Sequence, residues 1–208
     1  MIAEPRHLQR RTVVLGLATL PLGLSSCALG PQALSREPLR IVPVAEWGGQ
    51  PVPLPAQPQR ITHLTVHHQG ELFNSNTDVP GYLRKLQTWS RQTRHWADIP
   101  YHYVVAPDGQ VYAARPPELA GETNTEYDPN GHLLVMLLGN FEVQHPTRAQ
   151  WDSSVRLLAQ LLRQHGMAPA QLGVHRDYST QTVCPGENLM KRWGELRRQV
   201  ALTGGWEA

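Results

Sequence analysis

The chain has 208 residues, of which 40% are hydrophobic and 17% charged, and its formal net charge is +2. Residues 1–26 hold three arginines and a single acid, Glu4, so residues 27–208 keep 16 basic and 16 acidic residues and carry no net charge. This balance argues against the clustered positive charge of a nucleic-acid-binding protein, and we expect no nucleic-acid partner. The remaining 180 or so residues fit about one domain.

The N-terminus has the pattern of an export signal. Arg10 and Arg11 precede an apolar stretch over residues 13–24, which is shorter than the roughly 20 residues of a membrane-spanning helix. Leu24-Ser25-Ser26-Cys27 follows and resembles a bacterial lipobox, in which Cys27 is lipidated. We therefore predict a lipoprotein signal peptide over residues 1–26 and a periplasmic protein with a lipid anchor. An ordinary signal peptide that happens to contain a cysteine is the alternative, and Sec and twin-arginine export both stay open.

The residues after Cys27 indicate the membrane to which the anchor is sorted and the conformation of the chain that follows it. Ala28, in place of aspartate, favours sorting to the outer membrane. Residues 28–60 are rich in proline, which is excluded from helix interiors and central strands, so we expect an extended arm. We place a tether at residues 27–44 and a folded domain at residues 45–208.

The folded domain interleaves strand and helix patterns. Asp78-Val79-Pro80 is typical of a helix start, and Leu83, Leu86 and Trp89 then form one apolar side. Thr147 and Gln150 give a capping-box pattern before a second helix, which ends at Gly166. These patterns predict a mixed α/β fold in which helices flank a central mixed sheet. The predicted elements are a strand at 61–67, a helix from 78 towards 93, a hairpin of 101–106 and 110–114, a strand at 132–138, a helix at 147–166 and a helix at 189–200.

Three residues form a candidate metal site. His67 closes the first strand pattern, whereas His175 and Cys184 lie in a turn-rich stretch more than a hundred residues later. Two imidazoles and a thiolate are a ligand set that Zn²⁺ accepts, with a fourth position open for water, as in catalytic zinc sites. If Cys27 carries lipid, Cys184 is the one remaining thiol, and a metal would protect it in an oxidising compartment. We expect the Zn²⁺ site at one edge of the sheet.

Six short motifs follow one another along the chain: Val66-His67-His68, Ile99-Pro100-Tyr101-His102-Tyr103, Asp108-Gly109-Gln110-Val111-Tyr112, Leu138-Gly139-Asn140-Phe141, His175-Arg176-Asp177 and Cys184-Pro185-Gly186. Together they resemble the type 2 N-acetylmuramoyl-L-alanine amidase family, which includes the peptidoglycan recognition proteins and phage amidase-type lysozymes. The resemblance covers roughly residues 45–195. It implies that His67, His175 and Cys184 bind zinc, that Tyr101 stabilises the transition state, and that Thr182 occupies another active-site position. The bond cleaved would join the lactyl group of N-acetylmuramic acid to L-alanine of the stem peptide.

The chain also departs from the family pattern. Eight residues separate His175 from Cys184, one more than in recognition proteins and phage enzymes, and Leu119 stands near a position where the family often has histidine. Residues 122–131 are acidic and longer than the family pattern. These differences leave the preference for intact or 1,6-anhydro muramyl ends open, together with stem-peptide selectivity and physiological role.

Two further histidines neighbour the candidate site in sequence. His68 follows His67 and His102 follows Tyr101, and alternation along a strand directs each to the opposite face. We assign both a second-shell role, since such residues commonly orient metal ligands.

Two alternatives to a zinc amidase remain at this point. One is a non-catalytic peptidoglycan-binding module, and the other is a thiol hydrolase with Cys184 as its nucleophile and His67 or His175 as its base. The expected partners are a peptidoglycan or muropeptide substrate and the membrane, with the protein itself a monomer.

Overall fold

The computed structural model describes residues 34–52 and 56–206 and contains a six-stranded sheet in the order β1-β4-β3-β5-β2-β6. Among the described strands, β3 and β4 pair antiparallel and the other neighbours pair parallel, so the predicted mixed α/β fold is confirmed. The elements are β1 Ile41–Val42, β2 His63–His68, α1 Val79–Gln92, β3 Tyr103–Val105, β4 Val111–Ala113, β5 His132–Leu137, α2 Arg148–Gln164, β6 Leu172–Val174, α3 Glu187–Met190 and α4 Trp193–Gly204.

The centre of the sheet is buried on both faces. β5 is buried along its whole length and pairs in register with β2, from His63 opposite His132 to His68 opposite Leu137. Parallel strands covered on both faces have continuous apolar sequences, which explains the run over residues 133–137. One face packs against α2 and α4, whereas the other packs against α1 and the buried Trp47. None of the helices within the described ranges has the length and apolar character needed to span a membrane.

The predicted helix starts are confirmed at both positions. The Asp78 side chain accepts a hydrogen bond from the Gly81 backbone at 2.9 Å, and Thr147 Oγ1 accepts one from the Gln150 backbone at 3.0 Å. Only half of the predicted capping box forms, because the Gln150 side chain turns into the core. Its Nε2 donates to the carbonyl oxygens of Val105 and Leu138, each at 2.9 Å. This side chain therefore ties α2 to β3 and to the end of β5.

Two sequence predictions were wrong in detail. Helical spacing placed Trp89 on one apolar side with Leu83 and so towards the core. Leu83 is fully buried, but Trp89 is 41% exposed and packs edge-to-face on Trp96. The predicted C-terminal helix is two helices, α3 and α4, which are separated at residues 191–192.

The described part of the predicted tether contacts the folded domain. The backbone N–H of Leu34 donates to Thr203 Oγ1, and that of Leu39 donates to Gln160 Oε1, both at 3.2 Å. β1 then pairs with β4. The predicted signal peptide and Cys27 lie outside the described residues.

Candidate metal centre

The three predicted ligands converge at the carboxyl-terminal edge of the sheet. Val66 of β2 pairs with Val174, the last residue of β6, so the residues that follow this pair, His67 and His175, reach that edge side by side. Their ring centroids lie 4.6 Å apart, close to the spacing of neighbouring strands. Cys184 approaches from the loop that follows His175. One ligand atom from each residue falls within 4.8 Å of the others, and all three residues are buried.

His67 has the environment of a neutral metal ligand. Burial, followed by the neighbouring His175, lowers its pKa well below the ordinary value, so the ring is neutral and keeps a lone pair. Its Nε2 is buried without a hydrogen-bond partner among the described residues, and its Nδ1 lies 3.8 Å from Cys184 Sγ. Nitrogen and sulfur ligands of one tetrahedral zinc are separated by about 3.6 Å. The pair therefore fits zinc.

Two hydrogen bonds hold Cys184, one to its sulfur and one from its own backbone N–H. Sγ accepts a hydrogen bond from the His68 backbone N–H at 3.3 Å, and the Cys184 N–H donates to Thr182 Oγ1 at 3.0 Å. Burial raises the pKa of the thiol to about 12. A nucleophilic cysteine needs a lowered pKa, so the thiol-hydrolase alternative has no support here. A metal ion removes the thiol proton when it coordinates the sulfur, so a buried thiol with a raised pKa suits a metal ligand better than a nucleophile.

His175 is fixed by a residue that the sequence did not single out. Its Nε2 lies 2.8 Å from Thr125 Oγ1, and the Tyr127 ring packs against it with a centroid distance of 5.2 Å. Burial lowers the pKa of His175 to about 4, so this ring is also neutral at pH 7. Both neighbours belong to the 122–131 segment, whose unusual length had pointed to selectivity but not to a contact with a ligand.

Tyr101 and Thr182 lie in the same cleft, which has a volume of about 260 Å³. The ring centroid of Tyr101 is 5.1 Å from that of His67, and burial raises the pKa of the phenol, so its O–H is a donor at neutral pH. The Thr182 hydroxyl accepts a hydrogen bond from the Cys184 backbone N–H and thereby shapes the loop that carries Cys184. Glu122 and Trp96 also line the cleft.

His68 and His102 turn their rings towards the backbone of the domain. Nδ1 of His68 accepts from the Phe141 N–H at 3.1 Å, so His68 reaches the cluster through its own backbone N–H. Nδ1 of His102 accepts from Leu134 N–H at 2.8 Å, and its Nε2 donates to Leu119 O at 2.9 Å. The second-shell assignment of both residues stays a prediction.

The fold and the cluster define a class of α/β protein in which a buried His–His–Cys cluster that could hold a metal ion opens to a cleft. The sequence model of the family described as N-acetylmuramoyl-L-alanine amidase matches residues 57–187, and the chain belongs to this family.

Three known proteins illustrate the similarity. Peptidoglycan-recognition protein SD of Drosophila simulans is 30% identical over 163 residues, which cover 72% of this chain and 81% of that protein. The ectodomain complex of peptidoglycan recognition proteins LCa and LCx with bound tracheal cytotoxin has a similar chain, with 28% identity, a TM-score of 0.64 and coverage of 74% of this chain and 96% of that one. The N-acetylmuramoyl-L-alanine amidase LysC of Clostridium intestinale has the same fold, with 23% identity, a TM-score of 0.65 and coverage of 79% of this chain and 99% of that one.

Proposed function

We propose that this protein is a zinc-dependent amidase that hydrolyses the bond between N-acetylmuramic acid and L-alanine in peptidoglycan. The observation that carries the proposal is the complete ligand set of His67, His175 and Cys184, gathered within 4.8 Å beside Tyr101. Family membership supplies the reaction class. A protein that only bound peptidoglycan would need a groove but would not need three buried ligands around one point.

The residues of the site suit amide hydrolysis. When bound, Zn²⁺ polarises the scissile carbonyl and lowers the pKa of its water to about 7. His67 and His175 present neutral rings and Cys184 a sulfur that is fixed by the His68 backbone. Tyr101 keeps its proton and donates a hydrogen bond to the oxyanion as negative charge develops there. Thr182 contributes by holding the loop of Cys184.

The substrate class follows from the family and its relatives. Peptidoglycan recognition proteins similar to this chain bind tracheal cytotoxin, which supports a muropeptide or peptidoglycan as the substrate. We further propose that the protein is a monomer. We also propose that it faces the periplasm and is held at the outer membrane by lipid on Cys27, which rests on residues 10–28 of the sequence alone. Replacing Cys27 with alanine should release the protein from the membrane fraction. If the variant stays in that fraction, the anchor lies elsewhere.

The decisive experiment treats purified muropeptides with residues 28–208, before and after chelation and after zinc is restored, and identifies the products by mass spectrometry. The proposal requires release of stem peptides that begin with L-alanine, loss of this release on chelation and its recovery with zinc. Binding of muropeptides by the zinc-loaded protein without any cleavage would instead identify a recognition module.

A further inference from the structure

We propose that Thr125 is a positioning residue that selects the tautomer of His175 used for metal binding. The proposal rests on the metal centre inferred above, but not on the reaction catalysed there. In the proposed arrangement, His175 Nε2–H donates a hydrogen bond to Thr125 Oγ1, which leaves the lone pair of Nδ1 for the metal.

The geometry leaves one nitrogen for coordination. Nε2 of His175 lies 2.8 Å from Thr125 Oγ1, and a ring nitrogen engaged in that hydrogen bond cannot also bind a metal. A neutral imidazole has one donor and one acceptor nitrogen, and the hydrogen bond of one nitrogen sets the state of the other. If Nε2 donates, Nδ1 carries the lone pair and the ring is ready to coordinate.

A second contact offers the Thr125 hydroxyl an acceptor other than His175. Thr125 Oγ1 also lies 2.8 Å from Thr123 Oγ1, which gives the Thr125 proton its own acceptor. Thr123 Oγ1 also accepts from the Thr125 backbone N–H at 3.1 Å, so it already lies against Thr125 as an acceptor. In the proposed arrangement, the Thr125 hydroxyl donates to Thr123 and accepts from His175.

The segment that carries Thr125 is anchored on both sides. Arg115, which is 2% exposed, forms an ion pair with Glu122 at the start of the segment. The Glu126 carboxylate accepts from Ser179 Oγ at 2.5 Å and from the Thr180 backbone at 2.9 Å, which ties the segment to the loop between the two ligands. Thr125 is thus held in place by its neighbours, as a group that orients a ligand must be.

The test compares three variants of the full chain. Thr125→Val keeps the shape of the side chain but removes its acceptor, whereas Thr125→Ser restores the hydroxyl. Thr180→Val is the matched control. It removes a hydroxyl that donates a hydrogen bond to Glu126, the residue after Thr125, and this hydroxyl does not reach His175. Zinc affinity is measured by competition with a chelator, and nitrogen NMR of the metal-free proteins reports which nitrogen of His175 carries the proton.

We expect Thr125→Val to weaken zinc binding by about 10- to 100-fold, the usual effect of losing the partner of a ligating histidine. Thr125→Ser and Thr180→Val should bind zinc like the unaltered protein. In the metal-free protein, Nε2 of His175 should carry the proton, and Thr125→Val should produce a mixture of tautomers. Melting temperatures verify that each variant is folded.

Three results obtained with a zinc-binding protein would overturn the proposal. They are unchanged zinc affinity in Thr125→Val, an equal loss in Thr180→Val, or a proton on Nδ1 in the unaltered protein. Thr125-dependent zinc binding without amidase activity would support the positioning role and reject the enzyme. If the unaltered protein binds no zinc, the metal centre fails and the proposal fails with it.

Discussion

His102 should make the stability of this protein sensitive to mild acid. Its ring is fully buried and joins two backbone groups, with Nδ1 accepting from Leu134 and Nε2 donating to Leu119. Burial, to which the positive charge of Arg115 adds, lowers its pKa from 6.5 to about 4. The folded protein therefore keeps His102 neutral over a range in which the unfolded chain has already protonated it.

The sign and size of the effect follow from proton linkage. Between the unfolded pKa of 6.5 and the folded pKa of about 4, the unfolded state binds more protons, so the free energy of unfolding falls as the pH falls. The loss is complete once the pH passes below the folded pKa. From about pH 7.5 to about pH 4.5, these two values predict a loss of about 2.5 kcal/mol from this one residue.

Replacing His102 with glutamine should remove this contribution. The variant is less stable at neutral pH, because the Leu134 N–H loses its acceptor at a cost of about 1–3 kcal/mol. The informative quantity is therefore the change in unfolding free energy between the two pH values, obtained from urea titrations of metal-free protein. This change should be about 2.5 kcal/mol smaller in His102→Gln than in the unaltered protein.

A matched control is His145→Gln, since His145 is exposed in the loop after β5 and its replacement removes a histidine without touching the core. Equal pH dependence in His102→Gln and the unaltered protein would refute the reasoning. A steeper pH dependence of the unfolding free energy in His102→Gln would refute it as well.

Three other predictions test the site and the core. Cys184→Ser should lose stoichiometric zinc after dialysis, measured by atomic absorption, because sulfur is the ligand that completes the cluster; full zinc content would remove Cys184 from the metal centre. Tyr101→Phe should keep its zinc but lose about 10²-fold or more in kcat, the usual cost of one oxyanion donor; an unchanged kcat would assign Tyr101 to packing. Leu133→Ala should lower the unfolding free energy by about 2–5 kcal/mol, since Leu133 is fully buried in the central strand; a loss below about 1 kcal/mol would contradict the two-sided burial of β5.

Elements whose causes are local could be predicted from the sequence. Asp78 and Thr147 begin helices because their side chains satisfy backbone N–H groups three residues ahead, and this spacing is visible in the chain. The three candidate ligands could be picked out because few other roles combine two histidines with a cysteine near loops. The short apolar run over residues 132–138 likewise indicated a strand, and β5 is buried along its whole length, as continuous apolar strands are.

Features that depend on distant contacts could not be predicted in this way. Helical spacing placed Trp89 on an apolar side with Leu83, but it does not say how much of that side the sheet covers, and Trp89 lies beyond the covered part. Gln150 fits a capping box in sequence, yet two carbonyl groups in the sheet compete for its side chain and bind it. The hydrogen bond of Thr125 to His175 joins residues 50 apart in the chain, so no periodic pattern records it.

The unusual spacing between His175 and Cys184 affects only one part of the candidate metal centre. His67 and His175 are placed by the pairing of β2 with β6, so their separation is set by the sheet and does not depend on the loop. The loop places only Cys184, and Arg176 ties it internally through an ion pair with Glu187 and a hydrogen bond to the Val183 carbonyl. An added residue there can change the walls of the cleft while both histidines stay in place. Because Cys184 still joins the two histidines, the departure from the family spacing leaves the candidate ligand set intact, and under the proposed function we expect it to affect which muropeptides enter the cleft.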